Sequence, residues 1–131
     1  MRLLLDTHVA LWAITDSPRL TQPVRSLIAD EANTVFVSAA SLWEIAIKFG
    51  LARGGPKDMP LSAAQALTYF EAAGFVMLPV TAQHAVAVGN LPPLHSDPFD
   101  RILVAQAMTE PFRLVTHDPI VGSYSDAIIT F

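Results

Sequence analysis

Short apolar runs alternate with segments of helical periodicity along the whole chain. In the segment 41–49, for example, Leu42, Ile45, Ala46 and Phe49 recur at i, i+3, i+4 and i+7, which is typical of a helix. Strands that alternate with helices predict an α/β fold with a parallel sheet covered on both faces. The predicted strands are 2–6, 34–38, 75–78, 113–116 and 127–131. The predicted helices are 9–14, 20–32, 41–49, 62–74, 81–89 and 98–109, the last of them nearly all apolar and therefore expected to be buried.

The composition limits the class of protein. With 131 residues, 52% of them hydrophobic and 15% charged, the chain is expected to form one folded domain spanning 1–131. The absence of cysteine excludes disulfides, thiolate zinc sites and cysteine nucleophiles, and it fits a cytoplasmic location. No apolar run has the length of a membrane span, and an acid at position 6 argues against a signal peptide. The net charge of −4 argues weakly against nucleic-acid binding, which usually requires a basic surface.

Four acidic residues stand where strand-like or helix-opening segments meet turns: Asp6, Glu44, Asp100 and Asp118. Ligand sites in open α/β folds lie beyond the carboxyl ends of the strands, so we expect these four side chains to converge. Carboxylates this close repel one another and stay ionised together only around a cation. Clustered oxygen ligands suit Mg²⁺ or Mn²⁺, the cations of phosphodiester chemistry. The pattern therefore indicates a small metal-dependent nuclease.

Each acid also has a purely structural interpretation. Asp6 and Asp118 could cap the helices that follow them, and Asp97, which precedes a proline at the first helical position, has the pattern of an N-cap. Glu44 could complete a capping box or pair with Lys48 at i+4. For Asp6, Glu44 and Asp97 taken singly, the structural interpretation is at least as good as the catalytic one, so the prediction of a site depends on the four core acids acting together.

Three hydroxyl residues are candidates to support the acids. Thr7, Ser38 and Thr116 lie at predicted strand ends, where they could hydrogen-bond a carboxylate or a metal-bound water, or serve only as turn residues. Arg101 could orient a phosphate or neutralise Asp97.

The histidines and tryptophans carry weaker signals. His8 and His117 match no zinc motif, and neither His84 nor His95 has a companion in the sequence that suggests ligation. Trp12 and Trp43 are expected to be core residues.

Four motifs in order resemble the PIN-domain family, and more narrowly the VapC-type toxins of type II toxin–antitoxin systems. They are L-L-L-D-T-H, S-A-A-S-L-W-E-I-A-I-K, D-P-F-D-R-I-L-V-A-Q-A and L-V-T-H-D, and the resemblance extends over essentially the whole chain. The resemblance implies a three-layer α/β/α sandwich around a central parallel sheet of four to five strands, forming one PIN-like nuclease domain. It also implies a Mg²⁺- or Mn²⁺-dependent endoribonuclease that is blocked by a small antitoxin.

The motifs assign the family's acids residue by residue. Asp6 matches the first acid, Glu44 the second, Asp100 the acid that opens the D-R-I-L-V-A-Q-A helix, and Asp118 the last. Thr116 matches the hydroxyl before the final acid, and Asp97 belongs to the D-P-F-D-R variant of the motif.

The resemblance further implies that a water activated by one or two cations hydrolyses RNA, and that the partners are RNA and a cognate antitoxin. A homodimer is expected as well, since the mean hydropathy of +0.42 is high for a monomer. The alternative is a catalytically silent PIN-like module that binds RNA or protein.

Overall fold

The computed structural model describes residues 1–51, 54–55 and 58–131, and it contains a five-stranded sheet. The strand order is β3-β2-β1-β4-β5, and every neighbouring pair is parallel. The strands are β1 Arg2–Leu5, β2 Thr34–Ser38, β3 Val76–Leu78, β4 Arg113–Thr116 and β5 Ile129–Thr130. All five predicted strands are confirmed, with the last one shortened to two residues.

The central strand β1 separates two hydrophobic cores. Side chains alternate across a strand, so Leu3 and Leu5 enter one core and Leu4 enters the other. All three are completely buried. A strand buried on both faces is expected to be continuously apolar, and this explains the uninterrupted leucine run.

Helices cover both faces of the sheet. The helices are α1 Thr7–Thr15, α2 Gln22–Ala29, α3 Ala39–Gly50, α4 Ala63–Ala72, α5 Ala82–Val88, α6 Pro98–Thr109 and α7 Pro119–Gly122. Residues of α1 to α4 pack in the core that contains Leu3 and Leu5, whereas residues of α6 and α7 pack in the core that contains Leu4. The expected three-layer α/β/α sandwich is therefore confirmed.

Local capping signals explain where several helices begin. Ser62 and Gln65 form the predicted capping box at the start of α4, and Asp97 caps α6 with Pro98 at the first helical position. Helix α3 begins two residues earlier than predicted, because Ser38 rather than a later serine caps it by accepting a hydrogen bond from the Ala40 amide at 3.0 Å.

The prediction that Trp43 is a core residue is wrong. Successive residues of a helix are about 100° apart, so Trp43 projects roughly opposite to Ile45, which is completely buried. Trp43 is 64% exposed and its ring meets Phe99 edge-on, with the ring centroids 5.1 Å apart. Trp12 is half-buried and packs against the rings of His117 and Phe131.

Helix α6 is buried only along its middle. Residues 103–106 are buried, whereas Met108 is 57% exposed, so the expectation of a fully buried helix is confirmed only in part. Within the described ranges, no helix is both long and apolar enough to cross a membrane.

Replacing Phe70 with alanine should lower the free energy of unfolding by about 3–5 kcal/mol, because Phe70 is completely buried and its loss leaves a cavity. Denaturant unfolding followed by circular dichroism measures this change. Tyr69→Ala is the matched control, since Tyr69 lies beside Phe70 on α4 but is 52% exposed, and it should change stability by less than about 0.5 kcal/mol. Equal losses in the two variants would contradict this position for the core.

Candidate metal centre

The strand order reverses between β1 and β4, which makes the carboxyl ends of these two strands the expected ligand position in an open α/β sheet. Asp6 directly follows β1, and its amide donates to the Val115 carbonyl of β4 at 3.0 Å. Thr116 is the last residue of β4, and Asp118 follows two residues later. The sheet therefore brings Asp6, Thr116 and Asp118, which are far apart in the sequence, together at the carboxyl ends of β1 and β4.

The Asp6 carboxylate is held by two hydrogen bonds. One oxygen accepts from the Val9 amide at 2.9 Å, which makes Asp6 the N-cap of α1, and the other accepts from the Thr116 hydroxyl. Burial of the carboxyl raises the pKa of Asp6 to about 6, against the lowering effect of these two hydrogen bonds and of His8. The nearby charge of Asp100 makes a smaller contribution to this rise. Both interpretations of Asp6 are thus compatible, because it caps a helix and also faces another acid.

Helix α6 places Asp100 at the site. Asp97 accepts hydrogen bonds from the amides of Phe99 and Asp100, at 2.8 and 3.2 Å, and this N-cap fixes the first turn, in which Asp100 lies. Burial raises the pKa of the Asp100 carboxyl, a hydrogen bond from His95 opposes that rise, and the charges of Asp97 and Glu44 add to it. The observed hydrogen bonds of the Asp97 carboxylate are those of a cap.

Glu44 reaches the same region from α3. It is 3% exposed, and its Oε2 accepts from the Lys48 ammonium at 2.6 Å, so the i+4 pair is present. The Oε1 atom is buried and has no hydrogen-bond partner among the described residues. A buried carboxylate oxygen is costly to leave unpaired, so this atom has capacity for a further positive partner.

Asp118, two residues after β4, is the fourth acid of the predicted site. One of its oxygens accepts from the Ile120 amide at 2.8 Å and caps α7, as the sequence allowed. The other oxygen lies 3.8 Å from Nε2 of His95. The amide of Asp118 donates to the Thr116 hydroxyl at 3.1 Å, so Thr116 contacts both Asp6 and Asp118.

His95 is a member of this group that the sequence did not predict. Its Nε2 lies 2.8 Å from Oδ2 of Asp100, and one ligand atom from each of His95, Asp100 and Asp118 lies within 4.8 Å of the others. The available signal was position, since His95 stands two residues before the N-cap of α6 and five before Asp100. In contrast, His84 is completely buried and pairs with Glu110.

The other predicted supporting hydroxyls make contacts between helices and strands. The Thr7 hydroxyl donates to the Ser41 hydroxyl at 2.8 Å, and this buried bond joins α1 to α3. Ser38 caps α3. These bonds fix the start of α3, and hence Glu44, relative to the helix that Asp6 caps.

The guanidinium of Arg101 is directed at the chain itself. It donates to the carbonyls of Val88, Pro92 and His95 and to the Tyr124 hydroxyl, at 3.1–3.2 Å. These hydrogen bonds hold the loop 89–97 against α6 and α7. The structure thus gives Arg101 a structural position rather than either role considered from the sequence.

The donor set fits a hard divalent cation. It consists of carboxylate oxygens from several elements, and charges of the same sign act on one another at Asp6, Asp100 and Glu44. Magnesium and manganese ions prefer such oxygen ligands. The buried Oε1 of Glu44, which has no hydrogen-bond partner among the described residues, is available as one.

The sequence model of the PIN domain matches residues 3–125 of the chain. The chain belongs to the PIN domain family. This PIN domain also resembles solved structures along its whole length. It is similar to a chain of the VapBC2 complex from Rickettsia felis bound to a DNA fragment from its promoter, with a TM-score of 0.69 and 18% identity, over 100% of this chain and 98% of that one.

Two further structures show the same fold. A chain of the DNA-bound VapBC complex from Salmonella typhimurium matches with a TM-score of 0.65 and 15% identity, over 100% of this PIN domain and 97% of that chain. A chain of FitAcB from Neisseria gonorrhoeae matches with a TM-score of 0.59 and 17% identity, over 100% and 96%. A search of curated proteins found no match.

Replacing Asp6 with asparagine should stabilise the protein at neutral pH when divalent cations are absent. The folded-state pKa of Asp6 is raised from 3.8 to about 6, so the folded protein binds more protons than the unfolded chain between these values. The unfolding free energy of the native protein should therefore fall as pH rises through this interval, by about 3 kcal/mol from this group. Asparagine is an equally good N-cap and carries no charge, so the variant should lose this part of the pH dependence.

Denaturant unfolding in EDTA at several pH values between 3.5 and 7.5 measures this effect. Asp126→Asn is the matched control, because Asp126 is exposed and lies before β5, at the amino ends of the parallel strands and so away from Asp6. A parallel pH dependence in Asp6→Asn and the native protein would show that Asp6 is not the buried titrating group.

Proposed function

We propose that this PIN domain is a metal-dependent endoribonuclease and the toxin of a toxin–antitoxin pair. The observation that supports this most directly is the convergence of Asp6, Glu44, Asp100 and Asp118 at one sheet edge, with a buried oxygen of Glu44 left without a partner among the described residues. A purely structural set of caps would not place mutually repelling carboxylates together.

The acids are proposed to hold one or two Mg²⁺ or Mn²⁺ ions. When bound there, such a cation would supply Lewis-acid polarisation of the scissile phosphate and would lower the pKa of a water molecule. Asp100 and Asp118 would bind the cation from α6 and from the end of β4, with Asp6 and Glu44 bound directly or through water.

The remaining residues of the site orient these ligands. The Thr116 hydroxyl donates to Asp6 and leaves that carboxylate one fixed orientation, and the Asp118 amide donates back to Thr116. Lys48 neutralises one oxygen of Glu44 and leaves the other available. Neighbours of this kind that orient metal ligands contribute strongly to metal affinity.

The proposed partners are RNA, a cognate antitoxin and a second copy of the chain. Support for an antitoxin comes from the similar structures, which are of VapBC complexes. A homodimer would cover some of the large apolar side chains that are exposed, among them Trp43, Val86 and Met108. We propose that the pair acts in the cytoplasm.

Cleavage of structured RNAs by the purified chain, free of antitoxin, tests this function. We expect cleavage with Mg²⁺ or Mn²⁺, none with EDTA, and a loss of about a hundredfold or more in Asp100→Asn. That variant removes a charge but keeps the side chain's shape, so its circular dichroism spectrum should match that of the native protein.

Asp126→Asn again serves as the control, because it removes an exposed carboxylate at the amino ends of the strands. This variant should cleave RNA normally. Intact RNA from the folded native protein with every cation, across a broad panel of RNAs, would contradict the nuclease and favour a catalytically silent PIN-like binding module. Equal activity in Asp100→Asn and Asp126→Asn would contradict the position of the site.

A further inference from the structure

His95 lies where a metal ligand would lie. Its side chain is 18% exposed, and its Nε2 is 2.8 Å from Oδ2 of Asp100 and 3.8 Å from Oδ2 of Asp118. Ligand atoms bound at about 2.1 Å in octahedral geometry are about 3 Å apart when adjacent and about 4.2 Å apart when opposite. The two observed separations fall close to this interval. The three side chains could therefore surround one ion with only small adjustments.

The backbone of His95 is fixed from both sides. Its amide donates to the Tyr124 hydroxyl at 3.0 Å, and its carbonyl accepts from Arg101 at 3.2 Å. Arg101 also donates to Tyr124, at 3.1 Å, so the two residues that hold His95 hold each other. These bonds tie His95 to α6 and to the turn that follows α7, and so they fix the direction of its side chain. The fixed backbone therefore places the imidazole of His95 between Asp100 and Asp118.

A second observation, on Glu44 of α3, also favours a bound cation. Glu44 is 3% exposed, its Oε1 has no hydrogen-bond partner within the described part of the chain, and its charge acts on Asp100. Lys48 pairs with Oε2 of Glu44 at 2.6 Å, so it is the buried Oε1 that remains available to a cation.

We propose that His95 is a nitrogen ligand of the cation that Asp100 and Asp118 hold, and that this ligand makes the site prefer Mn²⁺ over Mg²⁺. The inference builds on the metal site of the proposed function. Imidazole nitrogen suits first-row transition-metal ions, whereas Mg²⁺ favours oxygen ligands almost exclusively, so a histidine ligand favours Mn²⁺ over Mg²⁺ although both ions bind carboxylates. With the four acids alone, the site would offer only oxygen and would have no such preference built in.

Pulsed electron paramagnetic resonance of the purified chain with bound Mn²⁺ tests the ligand directly. Echo-envelope modulation from ¹⁴N reports a nitrogen bound to the manganese ion, and ¹⁵N-labelled histidine identifies it as imidazole. We expect histidine-derived modulation in the native protein and its loss in His95→Gln. His8→Gln is the matched control, because His8 is exposed and lies outside the group of His95, Asp100 and Asp118, and it should retain the modulation.

The same samples give metal affinities, since the spectrum of free Mn²⁺ disappears on binding and Mg²⁺ can be titrated as a competitor. We expect His95→Gln to weaken Mn²⁺ at least tenfold and Mg²⁺ less, and His95→Asp, which supplies oxygen, to shift the preference towards Mg²⁺.

Two results would overturn the inference in distinguishable ways. Tight Mn²⁺ binding that is lost in Asp100→Asn, but shows no histidine modulation in the native protein, would remove His95 from the ligands and leave the acidic site of the proposed function intact. No Mn²⁺ binding by the folded native protein would overturn both. Because the decisive spectrum is that of the native protein, a variant that fails to fold does not affect this test.

Discussion

Mutual repulsion among carboxylates that are partly removed from water is the constraint on which the rest of the site depends. The pKa of Asp6 is raised to about 6, mainly by burial and in part by the charge of Asp100, and the charge of Glu44 acts on Asp100 in the same direction. Such an arrangement costs stability in the free protein, and hydrogen bonds from Thr116 and the Val9 amide offset only part of that cost. A bound divalent cation would compensate this loss of stability, and such a cation suits carboxylate oxygens as ligands.

The hydrogen bonds by which the acids cap helices also position those acids at the proposed site. Asp6 and Asp118 each use one oxygen to cap a helix, which leaves the second oxygen of Asp6 to accept from Thr116 and the second oxygen of Asp118 3.8 Å from His95. Asp97 does this indirectly, because its cap sets the first turn of α6 and so the position of Asp100. Capping therefore acts as the positioning device for the proposed ligands.

The sequence predicted the fold closely because strand and helix signals agree with the topology almost everywhere. Convergence of the acids was predicted from one rule about parallel sheets. In the structure Asp100 and Asp118 share one group with His95, and the charges of Asp6 and Glu44 interact with that of Asp100. Trp43 and His95 were missed for physical reasons. Trp43 is apolar but lies on the helix face opposite to Ile45, and its partner Phe99 is distant in sequence. His95 reaches Asp100 only because Arg101 and Tyr124 fold its loop back, which no local pattern encodes.

The site joins distant parts of the sequence, since Asp6 and Thr116 are 110 residues apart. Strand β1 cannot complete its pairing with β4 until residues 113–115 have been synthesised. Parallel pairing over such a separation is also slow to form, because a long loop must close first. A chain whose synthesis stopped before residue 113 would therefore contain Asp6, Glu44 and Asp100 but lack the strand that brings Thr116 and Asp118 to them.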